Sequence, residues 1–211
     1  MNSSEKHRLV LATSNREKLR ELVELLNPIV PGFSPEMVAV MGDYNIPDVR
    51  ETGVTFTENA LLKARAVCAA TGLPALADDS GLCVDVMGGA PGILSARWAG
   101  RHGDDQANLE LLLNQLADIE DPHRGAAFVC AAVIVTPDGT ERHVVEEMRG
   151  RLLKAPRGEN GFGYDPIFQP EGYTVSNAEL QPAEKNRISH RGKAMRALAP
   201  VVATVIELTR R

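Results

Sequence analysis

Two adjacent carboxylates, Asp78 and Asp79, stand where a short apolar run, residues 75–77, meets Ser80 and Gly81. Neighbouring acidic side chains repel each other and shift each other's pKa. A cation beside them, most often Mg²⁺, relieves that repulsion. Asp, Ser and Gly are also turn-forming residues, so the same segment fits an Asx turn between two short strands. The pair predicts either a cation site or a turn, and both interpretations stay open on this segment alone.

A first group of cations and polar residues follows the short buried strand predicted over 8–12. It consists of Thr13, Ser14, Asn15, Arg16, Glu17 and Lys18, and periodic leucines after it predict that a helix begins there. The free N–H groups and the dipole of a helix N-terminus attract phosphate, and Lys18 lies one turn in. Many helices carry a solvated lysine in this place, so Lys18 by itself is weak support for a phosphate site.

A second group lies near the C-terminus, where Lys185 precedes Ser189, His190 and Arg191. These residues could simply cap the start of a helix predicted from about 190 to 208. Cations at a helix N-terminus oppose the helix dipole, and their placement costs stability unless an anion lies beside them. That conflict between sequence and local stability favours a functional role.

A third group is the glycine-rich segment 161–165. Glycine on both sides of Phe162 leaves the ring open to a planar ligand, and Tyr164 and Asp165 add hydrogen-bonding groups. The alternative is a glycine loop whose aromatic residue anchors it to the core. On the acidic side, Glu51 precedes a predicted helix, and two carboxylates together with phosphate oxygens form a typical Mg²⁺ ligand set.

Composition and missing motifs exclude several classes of protein. The 211 residues are 44% hydrophobic with a formal net charge of −5, which argues against general binding to nucleic acid or anionic membranes. The sequence lacks the P-loop, dinucleotide-binding and H-E-x-x-H patterns. Three cysteines without metal-ligand spacing predict free thiols, and with no signal peptide or membrane-length apolar run, a cytoplasmic location is expected.

The order of predicted elements indicates an α/β protein with a mixed sheet in a single domain over 1–211. Thr55 and Glu58 form a predicted capping box that opens a helix ending near Gly72. Short strands are predicted at 75–77 and 82–86, on either side of a turn at the two aspartates. A strand over 126–135 turns at 137–140 into a returning strand, and 166–168 is a further short strand candidate.

Five segments in this order closely resemble the inosine triphosphate pyrophosphatase family, whose bacterial members are dITP/XTP pyrophosphatases. The segments are TSNREK, RETGVTFTENALLKA, ALADDSGLCVDVMGGAPGILSARWAG, GFGYDPIF and PAEKNRISHRGKA. The resemblance covers nearly the whole chain. It implies a long mixed sheet flanked by helices, two lobes with a nucleotide cleft between them, and a homodimer. It also implies Mg²⁺-dependent hydrolysis of a non-canonical purine nucleoside triphosphate to the monophosphate and pyrophosphate.

The resemblance further implies a role for particular residues. It assigns Asp79 as the proton acceptor, Glu51 and Asp79 as metal ligands, and the following as substrate contacts: Thr13, Ser14, Asn15, Arg16, Glu17, Lys18, Ser80, Phe162, Gly163, Tyr164, Asp165, Lys185, His190 and Arg191. Two other functions remain open: a nucleotide sensor without catalysis, which would not need both carboxylates, and a pyrophosphatase for modified pyrimidines. Metal-dependent turnover and a substrate panel distinguish them.

Overall fold

The computed structural model of the protein describes residues 7–14 and 16–209, without the side chain of Glu17. The helices are α1 (Arg16–Leu26), α2 (Phe56–Thr71), α3 (Asp105–Gln115), α4 (Pro182–Ile188) and α5 (His190–Leu208). The strands are β1 (Leu9–Leu11), β2 (Val38–Val40), β3 (Ala75–Val84), β4 (Gly125–Val135), β5 (Glu141–Leu152) and β6 (Phe168–Pro170). Short 3₁₀ turns connect several of them.

The strands form one open sheet in the order β2-β1-β3-β4-β5-β6. Strand β1 runs parallel to both β2 and β3, with Val10 opposite Ala39 and Ala75. Strands β5 and β6 are antiparallel, with Arg151 opposite Gln169. The sheet is therefore mixed, and the predicted α/β class is confirmed.

Helix α2 begins and ends where its sequence predicts. The Thr55 hydroxyl accepts from the Glu58 N–H, and the Glu58 carboxylate accepts from the Thr55 N–H, so each side chain satisfies a free backbone donor. Gly72 closes the helix in the left-handed conformation at φ 67°, which glycine adopts without steric cost. The predicted C-terminal helix is α5, which continues through Pro200.

The predicted turn at Asp78 and Asp79 is wrong, because a single ten-residue strand, β3, runs through both residues. Aspartate is unfavourable in strands when its charge is left uncompensated, but basic side chains from distant parts of the chain pair with both carboxylates. Residues 85 and 86, predicted as the end of a strand, belong to a 3₁₀ turn over 85–87. The short strand predicted at 166–168 is displaced to 168–170, behind a 3₁₀ turn at 165–167.

The described residues divide into two compact units, in keeping with the two lobes that the family resemblance implies. The prediction of a single domain over 1–211 stays a prediction. Unit 1 contains the described residues within 1–79, 131–145 and 191–211, and unit 2 contains 80–130 and 146–190. Val10, Ala64 and Val133 belong to the buried core of unit 1. Unit 2 has its own core, in which Leu112 and Phe168 are fully buried.

Among the helices in the described ranges, none combines the length and the apolar character that crossing a membrane requires.

Candidate functional site

In unit 1, the carboxylate of Asp78 is the centre of a network of charges. Its Oδ2 accepts hydrogen bonds from Nε and Nη2 of Arg191 at 3.1 and 2.8 Å, and Nζ of Lys18 lies 3.5 Å away. The third nitrogen of the Arg191 guanidinium, Nη1, donates to Oε2 of Glu21 at 2.9 Å. A strand and two helices thus meet through side chains that are distant in sequence.

Burial and charge act on Asp78 in opposite directions. Burial acts to raise the pKa of this carboxyl, but Arg191, Lys18 and Lys63 outweigh it and hold the pKa far below its usual range. Asp78 is therefore ionised at any physiological pH. The Arg191 guanidinium, which opposes the dipole of α5, has its compensating anions in Asp78 and Glu21.

The neighbouring Asp79 belongs to a second network, centred on Lys63 of α2. Nζ of Lys63 lies 2.8 Å from Oε1 of Glu51 and 3.7 Å from Oδ1 of Asp79. Burial acts to lower the pKa of Lys63, but Asp79, Asp78 and Glu51 together raise it. A half-buried ammonium group is consequently shared by the two carboxylates that the sequence predicts as metal ligands.

Gly53 allows the Glu51 loop to lie close against the start of α2. Its N–H donates to Oδ1 of Asn59 at 2.8 Å. A Cβ at position 53 would stand 2.6 Å from Cβ of Glu58 and 2.8 Å from the Asn59 oxygen, closer than real Cβ atoms approach. The close approach requires glycine, and it holds Glu51 within reach of Lys63.

Asp79 has an incompletely satisfied carboxylate. Its Oδ2 is buried and has no hydrogen-bond partner among the described residues. Burial raises the pKa of Asp79, and Glu51 and Asp78 add to the rise, while Lys63 and the Asn59 amide act against it. A buried carboxylate oxygen without a donor is a strong acceptor for a proton or a cation.

The donor set in unit 1 fits a magnesium ion bound together with phosphate. Mg²⁺ usually takes one or two carboxylates from a protein and completes its octahedron with waters and substrate phosphate oxygens. Glu51 and the unsatisfied Oδ2 of Asp79 supply such a pair. Within the described ranges no group of three or more His, Cys, Asp and Glu side chains is placed to hold a metal ion by itself.

The predicted phosphate segment at the start of α1 is brought to this site through Lys18. Arg16 instead pairs with Asp43, its Nη2 lying 2.6 Å from Oδ1, and most of its side chain is exposed. Thr13 is half-buried and Ser14 is exposed at the end of β1. Asn15 and the side chain of Glu17 lie outside the described residues.

In unit 2, Asp165 organises the predicted aromatic segment. Its Oδ2 accepts from the Phe162 N–H at 2.9 Å and lies 2.6 Å from Nζ of Lys185, while Oδ1 accepts from Nδ2 of Asn177 at 2.5 Å. Gly161 has φ +79°, and a Cβ there would stand 2.1 Å from Oδ2 of Asp165. Asp165 is buried, and it stabilises the loop through its hydrogen bonds to the Phe162 N–H and to Lys185.

The ring of Phe162 is exposed, although it is a large apolar side chain. Its solvent-accessible fraction is 63%. Nζ of Lys185 lies 5.0 Å from the ring centroid, a cation–π distance. Lys185 therefore stands between a carboxylate and an aromatic ring, and it covers part of the ring while the remainder meets solvent.

Tyr164 and Gly163 hold the segment to the body of unit 2. The buried Tyr164 hydroxyl donates to the backbone oxygen of Ser95 at 2.8 Å, and burial raises the pKa of this phenol. The Gly163 N–H donates to Oδ2 of Asp105 at 2.9 Å. The predicted substrate contacts of Tyr164, Gly163 and Asp165 stay predictions, since their contacts in the structure are internal.

The last two predicted residues of unit 2 lie on different elements. Ser80 is half-buried in β3 directly after Asp79. His190 is the first residue of α5, and its imidazole stacks on the ring of Phe128. Arg191, the next residue, belongs to unit 1 and is engaged by Asp78 and Glu21, so its predicted contact with substrate also stays a prediction.

Sequence reasoning missed three residues of these networks: Lys63, Glu21 and Asp78 as an anchor for Arg191. Glu21 gives no signal, because a glutamate on an amphipathic helix is ordinarily a solvated residue. Lys63 gives a weak signal in the sequence. It lies in a helix of alanines and leucines, where a lysine on the buried side needs an anionic partner.

Comparison with known proteins places the chain in a family. The sequence profile of the Ham1 family matches residues 9–201. The chain belongs to the Ham1 family. The dITP/XTP pyrophosphatase of Streptomyces coelicolor is 63% identical over 199 residues, which are 94% of this chain and 98% of that protein.

Solved structures of Ham1 proteins have the same fold. The Ham1 protein of Coxiella burnetii matches with a TM-score of 0.85 at 39% identity, over 94% of this chain and 99% of that one. A nucleoside-triphosphatase described as a dITP/XTP pyrophosphatase from Mycobacterium abscessus matches with a TM-score of 0.75 at 49% identity, over 92% and 98%. These matches confirm the predicted family and its class of enzyme, a nucleoside triphosphate pyrophosphohydrolase.

Proposed function

We propose that this Ham1 protein hydrolyses non-canonical purine nucleoside triphosphates, namely ITP, dITP and XTP, to the monophosphate and pyrophosphate. Its role would be to remove these nucleotides from the pool before they enter DNA or RNA. The names of the relatives support the substrate class. The observation that carries the chemistry is Asp79, whose buried Oδ2 has no donor and whose carboxyl pKa is raised.

Asp79 is the proton acceptor in this proposal. A raised pKa brings a carboxylate closer to the operating pH, which makes it a better general base. It takes a proton from the water that attacks the α-phosphorus, and the bond from that phosphorus to the bridging oxygen breaks, so that pyrophosphate leaves. Lys63 holds the carboxylate through Oδ1, which lies 3.7 Å from its ammonium nitrogen.

Mg²⁺ is the proposed cofactor, and Glu51 and Asp79 would hold it. When bound, such an ion neutralises phosphate charge and stabilises the charge that develops on the leaving group. Lys63 already screens both carboxylates from each other, which lowers the cost of keeping two like charges 2.8 and 3.7 Å from one ammonium group.

Lys18 would hold the triphosphate. Lys18 is about one-third exposed and lies at the edge of the Asp78 network, so its ammonium group is available to a phosphate while Asp78 orients it. At an effective dielectric of about 20, a cation about 4 Å from a phosphate charge contributes about 4 kcal/mol before desolvation is subtracted. The backbone N–H groups and the helix dipole at the start of α1 would add to this attraction.

Phe162 would hold the base by stacking. The exposed ring of Phe162 supplies a stacking surface, and such stacking is typically worth about 1–3 kcal/mol per base. His190 and backbone N–H groups would donate to the 6-oxo group of hypoxanthine or xanthine. Adenine presents a 6-amino donor at the same position, so the protein's donors would face another donor and stay unpaired. Because an unpaired buried donor is costly, adenine nucleotides would bind less well than 6-oxopurine nucleotides.

The remaining features of the proposal are physiological. We expect a homodimer in the cytoplasm that binds neither nucleic acid nor membrane. The negative net charge and the free thiols of Cys68, Cys83 and Cys130 support this setting.

A substrate panel tests the proposed function. Initial rates with Mg²⁺ are measured separately for ITP, dITP, XTP, ATP, GTP and dUTP. High kcat/KM for the first three and low values for the others is the expected result. Preference for dUTP would contradict the purine assignment, and nucleotide binding without turnover of any member would favour the sensor.

A further inference from the structure

The imidazole of His190 lies flat against the ring of Phe128 in unit 2. The two ring centroids are 5.1 Å apart and the planes differ by only 11°. His190 is the first residue of α5, whereas Phe128 lies in β4, 62 residues earlier in the chain. Near-parallel stacking at this distance fixes the plane of a side chain that could otherwise rotate about two bonds.

Phe128 is itself held in place by the core. It is 8% exposed, and its ring packs against fully buried Phe168 with centroids 4.7 Å apart and an interplanar angle of 57°. A strand residue packed in this way has little rotational freedom. The orientation of His190 is therefore set by the core of unit 2 as well as by the start of its own helix.

One edge of the imidazole is also fixed. Nδ1 of His190 is buried. With one face on Phe128 and Nδ1 buried, the Nε2 edge is the part of this half-buried ring that the proposed function assigns to the ligand. A histidine that reads a carbonyl oxygen needs this kind of fixed direction, because a hydrogen bond weakens steeply as its angle departs from linearity.

We propose that Phe128 is a positioning residue for substrate selection, because it holds the His190 imidazole in the plane from which Nε2 meets the 6-oxo group of the purine. This inference rests on the proposed function. Phe128 does not touch the substrate in this account, and it acts through His190 alone. An aliphatic residue of similar size would fill the volume but would offer no flat surface to the imidazole.

Proton NMR of the histidine rings tests the placement directly. The chain contains five histidines, and His190→Asn identifies the His190 signal. Ring protons above an aromatic face resonate upfield, so in the wild-type protein the His190 ring signals should lie upfield of those of the other four. In Phe128→Leu they should move into the range of the others.

Kinetics with ITP and ATP test the consequence. Phe128→Leu should raise KM for ITP by about three- to tenfold, as expected for the loss of one stacking contact, with a smaller effect on kcat. The ratio of kcat/KM for ITP to that for ATP should fall by a similar factor. Phe128→Tyr, which keeps the ring, should have the same ITP/ATP ratio of kcat/KM and the same upfield His190 shift as the wild-type protein.

The matched control is Phe33→Leu. Phe33 is 7% exposed in unit 1, so the same substitution costs comparable packing there, but its ring is in another core. It should leave the His190 signal and the ITP/ATP ratio unchanged. Should Phe128→Leu fail to fold, Phe128→Met fills the same space with a flexible apolar chain and takes its place.

Three results overturn the inference: a wild-type His190 signal among those of the other histidines, an unchanged shift in Phe128→Leu or Phe128→Met, or a changed shift in that variant with an unchanged ITP/ATP ratio. An inactive wild-type protein would instead contradict the proposed function, and the selection role with it. The NMR experiment needs no turnover, so it would still report separately on the ring placement.

Discussion

The ammonium nitrogen of Lys63 lies 3.7 Å from Oδ1 of Asp79, whereas the other carboxylate oxygen, Oδ2, is buried and has no hydrogen-bond partner among the described residues. The same nitrogen contacts Glu51 at 2.8 Å. One oxygen of Asp79 thus lies beside a cation, while the other can accept a proton or a metal ion. This asymmetry distinguishes Asp79 from Asp78, whose charge is neutralised by Arg191 and Lys18.

Replacing Asp79 tests its role as the base. Asp79→Asn keeps the shape but removes the proton acceptor, so kcat for ITP should fall by about 10²–10⁴-fold. Nucleotide binding, measured by calorimetry, should be largely retained. Asp118→Asn, at an exposed position, is the control and should have no effect on kcat. Retention of most of the wild-type kcat in Asp79→Asn would eliminate Asp79 as the base.

Replacing Lys63 tests the electrostatics of the pair. The positive charge of Lys63 lowers the pKa of Asp79, so Lys63→Gln should raise that pKa further. Because the base must be ionised, the acidic limb of the pH–kcat profile should shift to higher pH. The profile of Lys63→Arg, which keeps the charge, should shift less. An acidic limb at the same pH in all three proteins would mean that Asp79 does not control it.

The two adjacent aspartates should have opposite effects on stability. The folded-state pKa of Asp78 lies below the ordinary value of about 3.9, so its ionised form stabilises the fold at neutral pH and this contribution is lost as the pH falls through the folded pKa. Asp78→Asn leaves Arg191 and Lys18 without that charge. The free energy of unfolding at pH 7 should fall by about 3–5 kcal/mol.

For Asp79 the sign reverses. Its folded-state pKa is raised, so folding favours the neutral form; that advantage is present below the ordinary pKa and is lost as the pH rises through the folded pKa. Asp79→Asn, which is neutral at every pH, should therefore raise the Tm at pH 8 and bring no gain near pH 3. Thermal melts of both variants in metal-free buffer with EDTA measure this. A lower Tm for Asp79→Asn at pH 8 would contradict it.

Local signals in the sequence were sufficient for the helix boundaries but not for strand β3. Thr55, Glu58 and Gly72 act on backbone groups within four residues, so their effect is visible in the sequence. Asp78 and Asp79 look like a turn because the residues that compensate them are remote. Arg191 lies 113 positions from Asp78, and only the tertiary fold brings the two together.

The candidate site divides in the same way. The exposure of Phe162 follows from the flanking glycines, which the sequence displays. The stack of His190 on Phe128 and the shared ammonium of Lys63 depend on side-chain packing between different elements, and no local pattern encodes either. The family resemblance supplied residue roles, whereas the structure supplied the partners of those residues.

Removing the Phe162 ring tests base stacking. Phe162→Ala should raise KM about tenfold for all purine triphosphates that are turned over, because stacking tolerates any base, while kcat changes less. Phe162→Trp should preserve KM. Leu208→Ala removes an equally exposed apolar side chain, 63% accessible, and should alter neither constant. A fall in kcat alone would show that the ring acts in the reaction step and does not bind the base.

The products formed from ITP test the central claim most directly. Purified wild-type protein and Asp79→Asn are incubated with ITP and Mg²⁺, and pyrophosphate, orthophosphate, IMP and IDP are quantified over time. Equal amounts of pyrophosphate and IMP are expected from the wild-type protein, and almost none of either from the variant. Orthophosphate with IDP would mean that a different bond is cleaved and would contradict attack at the α-phosphorus.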